Sequence, residues 1–370
     1  MQPLRTAAGK RAFVEKLLRW FALVMRPLPW RGNYEPYAVW ISEIMLQQTR
    51  MERGVEYFKA WMHRFPDIRS VAEAREEAIL AAWEGLGYYS RARNLHAAAK
   101  RIMAESHGIF PRFFKDIRAL PGVGEYTAGA IAAIAFDDPV PAVDTNVMRV
   151  FARVCDIDIP LSDKAAKAYI TETVRSLLSS GSPRLIIQGL MELGALVCRG
   201  IPNCGQCPVD AFCTARRLGV ASARPPKKPK GAIVRLEMAA GILVRKGRIL
   251  IRKRRPGGLW GGLWEFPGGN VGPGKSPEKA LVRYLADETG ITATIREKIA
   301  IVRHSYTTNR VVVHGYLCDV AGVLLPSFRD EERGKWVRIA EIDSYPFPAG
   351  HRKLLERLGW KEGGESASRR

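Results

Sequence analysis

Cys198-Arg199-Gly200-Ile201-Pro202-Asn203-Cys204-Gly205-Gln206-Cys207-Pro208-Val209-Asp210-Ala211-Phe212-Cys213 holds four of the six cysteines of this chain, at spacings x5, x2 and x5. Four thiolates so close in sequence suit one soft metal centre, either a [4Fe–4S] cluster or a tetrahedral zinc ion. Disulfides are the alternative. The chain has no secretory apolar segment near Met1 and no apolar run of about 18 residues. That points to a cytoplasmic protein in a reducing compartment, where paired cysteines are uncommon. The balance favours iron–sulfur, with Cys198, Cys204, Cys207 and Cys213 as ligands. Cys155 and Cys318 lie in apolar surroundings and read as core residues.

Outward from this run the chain divides in two. Upstream, apolar residues recur at three and four, as in Phe13, Leu17, Leu18 and Phe21 or Val147, Val150, Phe151 and Val154, which predicts helices. Downstream the pattern stops between Thr214 and Arg235, where Arg224-Pro225-Pro226-Lys227-Lys228-Pro229-Lys230 reads as a stiff basic linker. Beyond it the period becomes two, in Ala240, Ile242 and Val244, then Ile249 and Ile251, then Val311 and Val313, with one helix-like stretch at Ser276–Glu288. The expected organisation is an all-α domain over 1–213 closed by the 198–213 loop and a linker over 214–235. An α+β domain over 236–360 and a disordered tail over 361–370 follow.

Charge narrows the partner. Lys and Arg outnumber Asp and Glu by 58 to 37, a formal net charge of +21. Such an excess favours a polyanion, because each neutralised phosphate releases counterions. A membrane-surface role is disfavoured, since no lipidation signal or basic amphipathic helix is present.

Leu120-Pro121-Gly122-Val123-Gly124 lies between the helix-like stretches Pro111–Ala119 and Tyr126–Phe136. The two glycines permit left-handed backbone and leave the amides of the next helix free to bind a phosphate. Asp144 precedes a helix over Asn146–Val154, at a terminus that favours its charged form. Taken alone it reads as an N-cap. Glu43 is the one charged residue between Val39 and Leu46, so it is hard to ionise and suited to donate a proton.

These residues resemble the MutY adenine DNA glycosylases, a branch of the helix–hairpin–helix superfamily that includes endonuclease III. The matching stretches are Leu28–Arg31 (LPWR), Trp40–Thr49 (WISEIMLQQT), Gly85–His96 (GLGYYSRARNLH), Leu120–Ala130 (LPGVGEYTAGA), Val143–Arg153 (VDTNVMRVFAR) and the cysteine loop. The second domain resembles that family's Nudix-like domain, mainly through Arg255–Gly269 (RPGGLWGGLWEFPGG). The resemblance implies two helical subdomains with a cleft, a [4Fe–4S] cluster, and removal of adenine mispaired with 8-oxoguanine or guanine in double-stranded DNA. It further implies that Glu43 protonates adenine at N7, that ionised Asp144 stabilises an oxocarbenium-like sugar, and that Asn146 helps place the water. Tyr126 falls where endonuclease III-type enzymes carry a lysine nucleophile, which implies a monofunctional enzyme. Trp30, Arg31, Leu46 and Gln188 match the adenine pocket. Gln48 and Tyr88 match residues that fill and wedge the helix beside the oxidised guanine, within a DNA-binding set that includes Gln47, Thr49, Leu120, Gly122, Val123 and Gly124. The asymmetric substrate implies a monomer.

Three departures stand out. The first cysteine spacing is x5 where the family commonly has x6. The Nudix box aligned on Gly290 reads Gly269, Lys275, Arg283, Tyr284, Asp287 and Glu288, so two carboxylates are replaced by Lys275 and Tyr284. Mg²⁺ needs clustered oxygens, which argues against pyrophosphatase activity and for a lesion-reading module. The family's Phe-Ser-His loop is here Tyr306-Thr307-Thr308, with Tyr306 and Thr307 keeping the aromatic and the hydroxyl. Competing readings are a thymine-mismatch glycosylase or lyase, a nucleotide pyrophosphatase, and a non-catalytic DNA-binding protein.

Overall fold

The structure, a computed structural model, describes residues 3–226, 233–255, 257, 260–306, 309–321 and 334–359. Its helices in chain order are α1 (Ala7–Val24), α2 (Pro36–Leu46), α3 (Met51–Arg64), α4 (Ile68–Glu73), α5 (Glu76–Ala82), α6 (Ser90–Ser106), α7 (Phe114–Arg118), α8 (Glu125–Phe136), α9 (Thr145–Val154), α10 (Lys164–Leu177), α11 (Pro183–Glu192), α12 (Thr214–Arg217), α13 (Pro277–Thr289) and α14 (Ala349–Leu358). The strands are β1 (Val234–Arg245), β2 (Arg248–Lys253), β3 (Trp264–Glu265), β4 (Gly268–Asn270), β5 (Thr292–Tyr306), β6 (Asn309–Ala321) and β7 (Gly334–Arg338). The chain forms two compact units, Met1–Ala74 with Arg93–Pro229, and Arg75–Ala92 with Lys230–Arg370. Among the described residues, no helix is long and apolar enough to cross a membrane.

The first unit is helical. Helix α1 buries Phe13, Val14, Leu17 and Phe21 on one stripe. Helix α8 buries every residue from Thr127 to Ile134, so it runs through the centre of the unit, with α2, α7 and α11 packed on it. Small residues permit this. A Cβ on Gly129 would stand 2.5 Å from the Pro141 carbonyl oxygen, so the chain entering Asp144 lies directly on the helix. The helix before the hairpin is shorter than the sequence suggests, because the chain stays extended through Phe113 and turns helical at Phe114. Thr214–Ala223, which the sequence reading assigns to the linker, is structured. It contains α12 and a 3₁₀ turn, and buries Ala215 and Ala221. Arg224 pairs with Asp156 at 2.8 Å, which fixes the chain beyond them. Residues 227–232 and the tail from 360 lie outside the described residues.

The second unit is α+β. Strands run in the order β3-β2-β1-β6-β5, with β4 on β1 and β7 on β2. The central pair β1 and β6 is parallel. Both faces of β1 are covered, so Met238 to Leu243 is buried without alternation. Ala239 and Leu243 face α13 through Leu281 and Leu285. Ala240 and Ile242 join Ile249, Ile251, Leu354 and Leu355 on the other side. Helix α14 was not visible as a helix in the period-two reading of the sequence. Its signals are the buried Leu354 and Leu355 and the left-handed Gly359 that caps it.

Candidate active site

In the first unit Pro36 at N1 and the Glu35 carboxylate, which accepts from the Ala38 amide, start α2. That helix buries every residue from Tyr37 to Met45, including Glu43 at 8 % exposure. The Tyr126 hydroxyl, from the first turn of α8, donates to Glu43 Oε2 at 3.0 Å. Burial pushes the Glu43 carboxyl up to about 7. The Asp144 charge adds to the rise, while the Tyr126 bond and the Arg31 guanidinium oppose it. Burial, then the Glu43 and Asp144 charges, push the Tyr126 phenol well up, so it is a donor at neutral pH.

Asp144 is the N-cap of α9. Its Oδ1 accepts from the Val147 amide at 2.7 Å and its Oδ2 from the Asn146 amide group at 2.7 Å. The helix terminus, the feature visible in the sequence, favours the charge. Burial acts the other way and is the larger effect, so the Asp144 carboxyl is raised against these bonds and the nearby Arg149. Glu43, Tyr126, Asp144 and Asn146 thus come together from three helices.

Several residues around them were missed at the sequence level. Arg149 donates to Asn146 Oδ1 at 2.8 Å, to the Gly194 carbonyl at 2.7 Å and to the Cys198 carbonyl at 2.7 Å. Gly194 lies in a π-helical turn, Leu193–Val197, and a Cβ there would meet Asn146 Cβ at 2.6 Å. Arg153, one turn on, donates to Cys198 Sγ at 3.3 Å and to the Arg199, Gly200 and Arg224 carbonyls. The one available signal was the pair of arginines at i and i+4 on an otherwise apolar helix.

All four cysteines of the loop line one cavity, with Arg153, Leu193, Val197 and Val209. Burial raises the Cys207 and Cys213 thiols, and the neighbouring sulfurs of the quartet add to it. Among the described residues, no three His, Cys, Asp or Glu side chains converge as one ion requires. Four thiols around one cavity are the donor set that a soft metal centre takes.

Beside the carboxylates, Arg31 donates to Gln188 Oε1 at 2.7 Å and to Glu192 Oε1 at 2.8 Å. Arg26 holds the other Glu192 oxygen at 2.7 Å, so this carboxylate, 1 % exposed, is answered by two guanidiniums. The Gln188 amide nitrogen faces the Arg184 carbonyl and the Tyr34 hydroxyl. Trp30 is buried edge-on against Phe58, with centroids 5.0 Å apart. Leu46 is half-buried at the end of α2. Gln47 bonds Thr127, Thr49 closes a turn onto Leu46, and Gln48 is exposed with a left-handed φ of 56°.

In the hairpin only Gly122 uses the left-handed region, at φ 75°. Gly124, expected to share it, is extended at φ −85° and ψ 178° and serves as the N-cap of α8. No side chain caps that terminus and nothing stands within 4 Å of a Cβ built on Gly124, so backbone can approach there. Leu120 and Val123 are buried and anchor the turn.

Tyr88 is in the second unit, in a loop held left-handed at Gly85, Gly87 and Tyr88. Tyr306 ends β5 opposite Asn309, and Thr307 with Thr308 lies outside the described residues. Of the degenerate Nudix box, Tyr284 contacts Arg252, whose guanidinium also meets Glu265 at 2.6 Å.

Comparison with known proteins places these arrangements. Residues 41–175 match the model of the HhH-GPD superfamily of base-excision DNA repair proteins, and residues 239–357 match a NUDIX domain. The human protein called adenine DNA glycosylase is 33 % identical over 84 % of this chain and 68 % of its own length. A protein of that name from Buchnera aphidicola (subspecies Acyrthosiphon pisum) is 34 % identical, over 94 % of this chain and 98 % of its own. A solved thermostable thymine-DNA glycosylase superposes with a TM-score of 0.52 at 26 % identity, over 58 % of this chain and all of that one. With its helical repair domain, its Nudix domain and relatives matched across both, the chain belongs to the adenine DNA glycosylase family.

Proposed function

We propose that this adenine DNA glycosylase acts on adenine opposite 8-oxoguanine or guanine in duplex DNA, by hydrolysis without a covalent enzyme–DNA adduct. The observation that carries the reading is Glu43, buried, raised to about 7 and bonded to a neutral phenol beside Asp144. At neutral pH a large fraction of it holds a proton, in a place where giving that proton up is eased by the departing charge.

Adenine leaves the stack to reach this site. Glu43 passes its proton to N7, the C1′–N9 bond breaks with its electron pair on N9, and positive charge develops on the sugar. The Asp144 carboxylate stabilises that charge. Water held near Asn146 attacks C1′ and its proton returns to Glu43. Tyr126 carries no amine, so the chain offers no Schiff base at this position. Trp30, Leu46 and Gln188 border the base. Pairing of Gln188 with an adenine edge requires it to yield one of its present partners. The uncapped start of α8 binds phosphate; Gln48 in the first unit, and Tyr88 as the wedge with Tyr306 and Thr307 in the second, are each assigned to DNA contact. Adenine is favoured over thymine by the curated relatives, whose shared name specifies it.

We further assign a [4Fe–4S] cluster to Cys198, Cys204, Cys207 and Cys213, which would fix the loop whose carbonyls receive Arg149 and Arg153. The test of the main proposal is single-turnover cleavage of a duplex with one A opposite 8-oxoguanine. Strand breaks that appear only after alkali are expected. Breaks without alkali, or an adduct trapped by borohydride, would overturn the hydrolytic mechanism. Intact DNA in both arms would overturn the substrate assignment.

A further inference from the structure

The stretch Arg75–Ala92 belongs to the second unit although about 140 residues separate it from the rest of that unit in sequence. Specific bonds hold it there. Glu84 accepts from Arg352 Nε at 2.5 Å and Nη2 at 2.9 Å, a two-point ion pair, and from the Phe347 amide at 3.4 Å. The same guanidinium donates to Asp343 at 2.6 Å and to the Tyr345 carbonyl at 2.8 Å, so its orientation is fixed. Five residues on, the Tyr89 hydroxyl donates to the Phe347 carbonyl at 3.4 Å. Lys253 reaches Glu77 in α5 at 2.8 Å. The ion pair at Glu84 and Arg352 is four-fifths buried on each side.

Between Glu84 and Tyr89 runs the loop that presents Tyr88. Its backbone is left-handed at Gly85 (φ 94°), Gly87 (φ 71°) and Tyr88 itself (φ 49°). For a residue with a Cβ that region is unfavourable, so the conformation needs support from outside. Trp83 Nε1 donates to the Gly87 carbonyl at 3.1 Å, and Arg91 donates to the Leu86 and Gly87 carbonyls. The Arg91 guanidinium lies 5.2 Å from the Trp83 ring and 5.5 Å from that of Tyr88. Both ends of the loop are therefore pinned to one short region, Asp343–Arg352, at the start of α14.

We infer that Glu84 and Arg352 are positioning residues for Tyr88: the carboxyl-terminal helix of the Nudix-like unit sets the loop that inserts an aromatic ring beside the purine opposite adenine. This rests on the reading of Tyr88 as the wedge. It makes one and the same unit responsible for both lesion recognition and the wedge, so the quality of that unit's fold is felt at the DNA stack.

The test is a thermodynamic cycle with the full-length, cluster-loaded protein. Wild type, Tyr88→Ala, Arg352→Met and the double variant are compared by Kd for a duplex carrying non-cleavable 2′-fluoro-adenosine opposite 8-oxoguanine. A lost aromatic–base stack of about 1 kcal/mol weakens binding roughly fivefold. Expected results are a loss of that size for Tyr88→Ala, a similar loss for Arg352→Met, and no further loss in the double variant. The conservative Arg352→Lys, which keeps a cation beside Glu84 and Asp343, is expected to regain most of the affinity lost in Arg352→Met. Should Arg352→Met fail to fold, Glu84→Gln runs the same cycle. Losses that multiply in the double variant, or an Arg352→Met protein that binds as wild type while Tyr88→Ala does not, would overturn the inference. A Tyr88→Ala protein that binds as wild type would overturn the wedge reading and this inference with it.

Discussion

Glu43 and Glu265 are both buried carboxylates, at 8 % and 1 % exposure, and their partners make them opposites. Glu43 meets a neutral phenol, and burial carries its carboxyl up to about 7. Glu265, in the second unit, meets the guanidiniums of Arg252 and Arg254, with His351 Nε2 3.8 Å away. A buried carboxylate left with a neutral donor is a proton reservoir. One answered by two cations is a fixed structural charge. Burial alone does not make a catalytic group; what decides is whether the protein neutralises the charge or leaves the neutralising to a proton.

The largest expected effect is at the first of these. Glu43→Gln keeps the size and the Tyr126 contact but removes the transferable proton. Single-turnover cleavage is expected to fall by roughly 10²–10⁴, with Kd for the duplex little changed. A variant that cleaves within tenfold of wild type would erase the distinction between the two glutamates.

The converse holds at Glu265. Its removal by Glu265→Ala leaves Arg252 and Arg254 facing each other without their carboxylate, a loss of about 3–5 kcal/mol for a broken buried pair. Denaturant unfolding of the full chain should show this in the second unit. The chemical step on adenine, measured at saturating enzyme below the unfolding range, should hold.

A third variant probes how the site is placed. Gly129→Ala puts a methyl 2.5 Å from the Pro141 carbonyl oxygen, a backbone atom that has no easy retreat. Overpacking of this kind costs about 1–3 kcal/mol, and the displaced segment is the one that carries Asp144. Cleavage rate and thermal stability are expected to drop together.

The finest test is of the pH response. Folding raises the Glu43 pKa from its ordinary 4.5 to about 7, so the folded state binds this proton more tightly than the unfolded chain. The corresponding stability is fully present below pH 4.5 and is lost as pH rises through about 7. In Glu43→Gln that loss should disappear, so the variant gains stability over wild type at pH 8 and not at pH 4. The cleavage rate of wild type should fall above pH 7. Tyr126→Phe removes a bond that lowers this pKa, and should move the alkaline limb upward. A downward movement would show that the phenol serves the protonated form instead.

The two glutamates also mark what the sequence makes legible. Glu43 stands in Ser42-Glu43-Ile44 and Glu265 in Trp264-Glu265-Phe266, both among apolar neighbours. Local pattern predicts burial for each and cannot tell them apart, because the deciding partners arrive from elsewhere in the chain. The helices of the first unit and the cysteine quartet were readable from period and spacing; Glu43 and Asp144 stood out by their local setting, and Tyr126 by the family resemblance alone. Arg149, Arg153 and Gly194 were not, since their roles are bonds to carbonyls and close approaches that no residue type announces. Because both faces of β1 are covered, its period of two does not say which face meets α13 and which the opposite core. Helix α14 was hidden because its apolar face answers strands β5 and β6, which lie outside any local window of sequence.

The discontinuity of the second unit also has a temporal side. Some 260 residues separate Ala92 from Arg352, the residue that clasps Glu84. At roughly 5–20 residues per second, a ribosome needs on the order of ten to fifty seconds to cover that distance. Until then Glu84 and Tyr89 have been synthesised without Arg352 and Phe347, to which they bond in the finished protein. A nascent chain of this design carries this loop unclasped through most of its own translation. Its yield in a cell should therefore follow elongation speed and chaperone supply, even where the stability of the completed fold is unchanged.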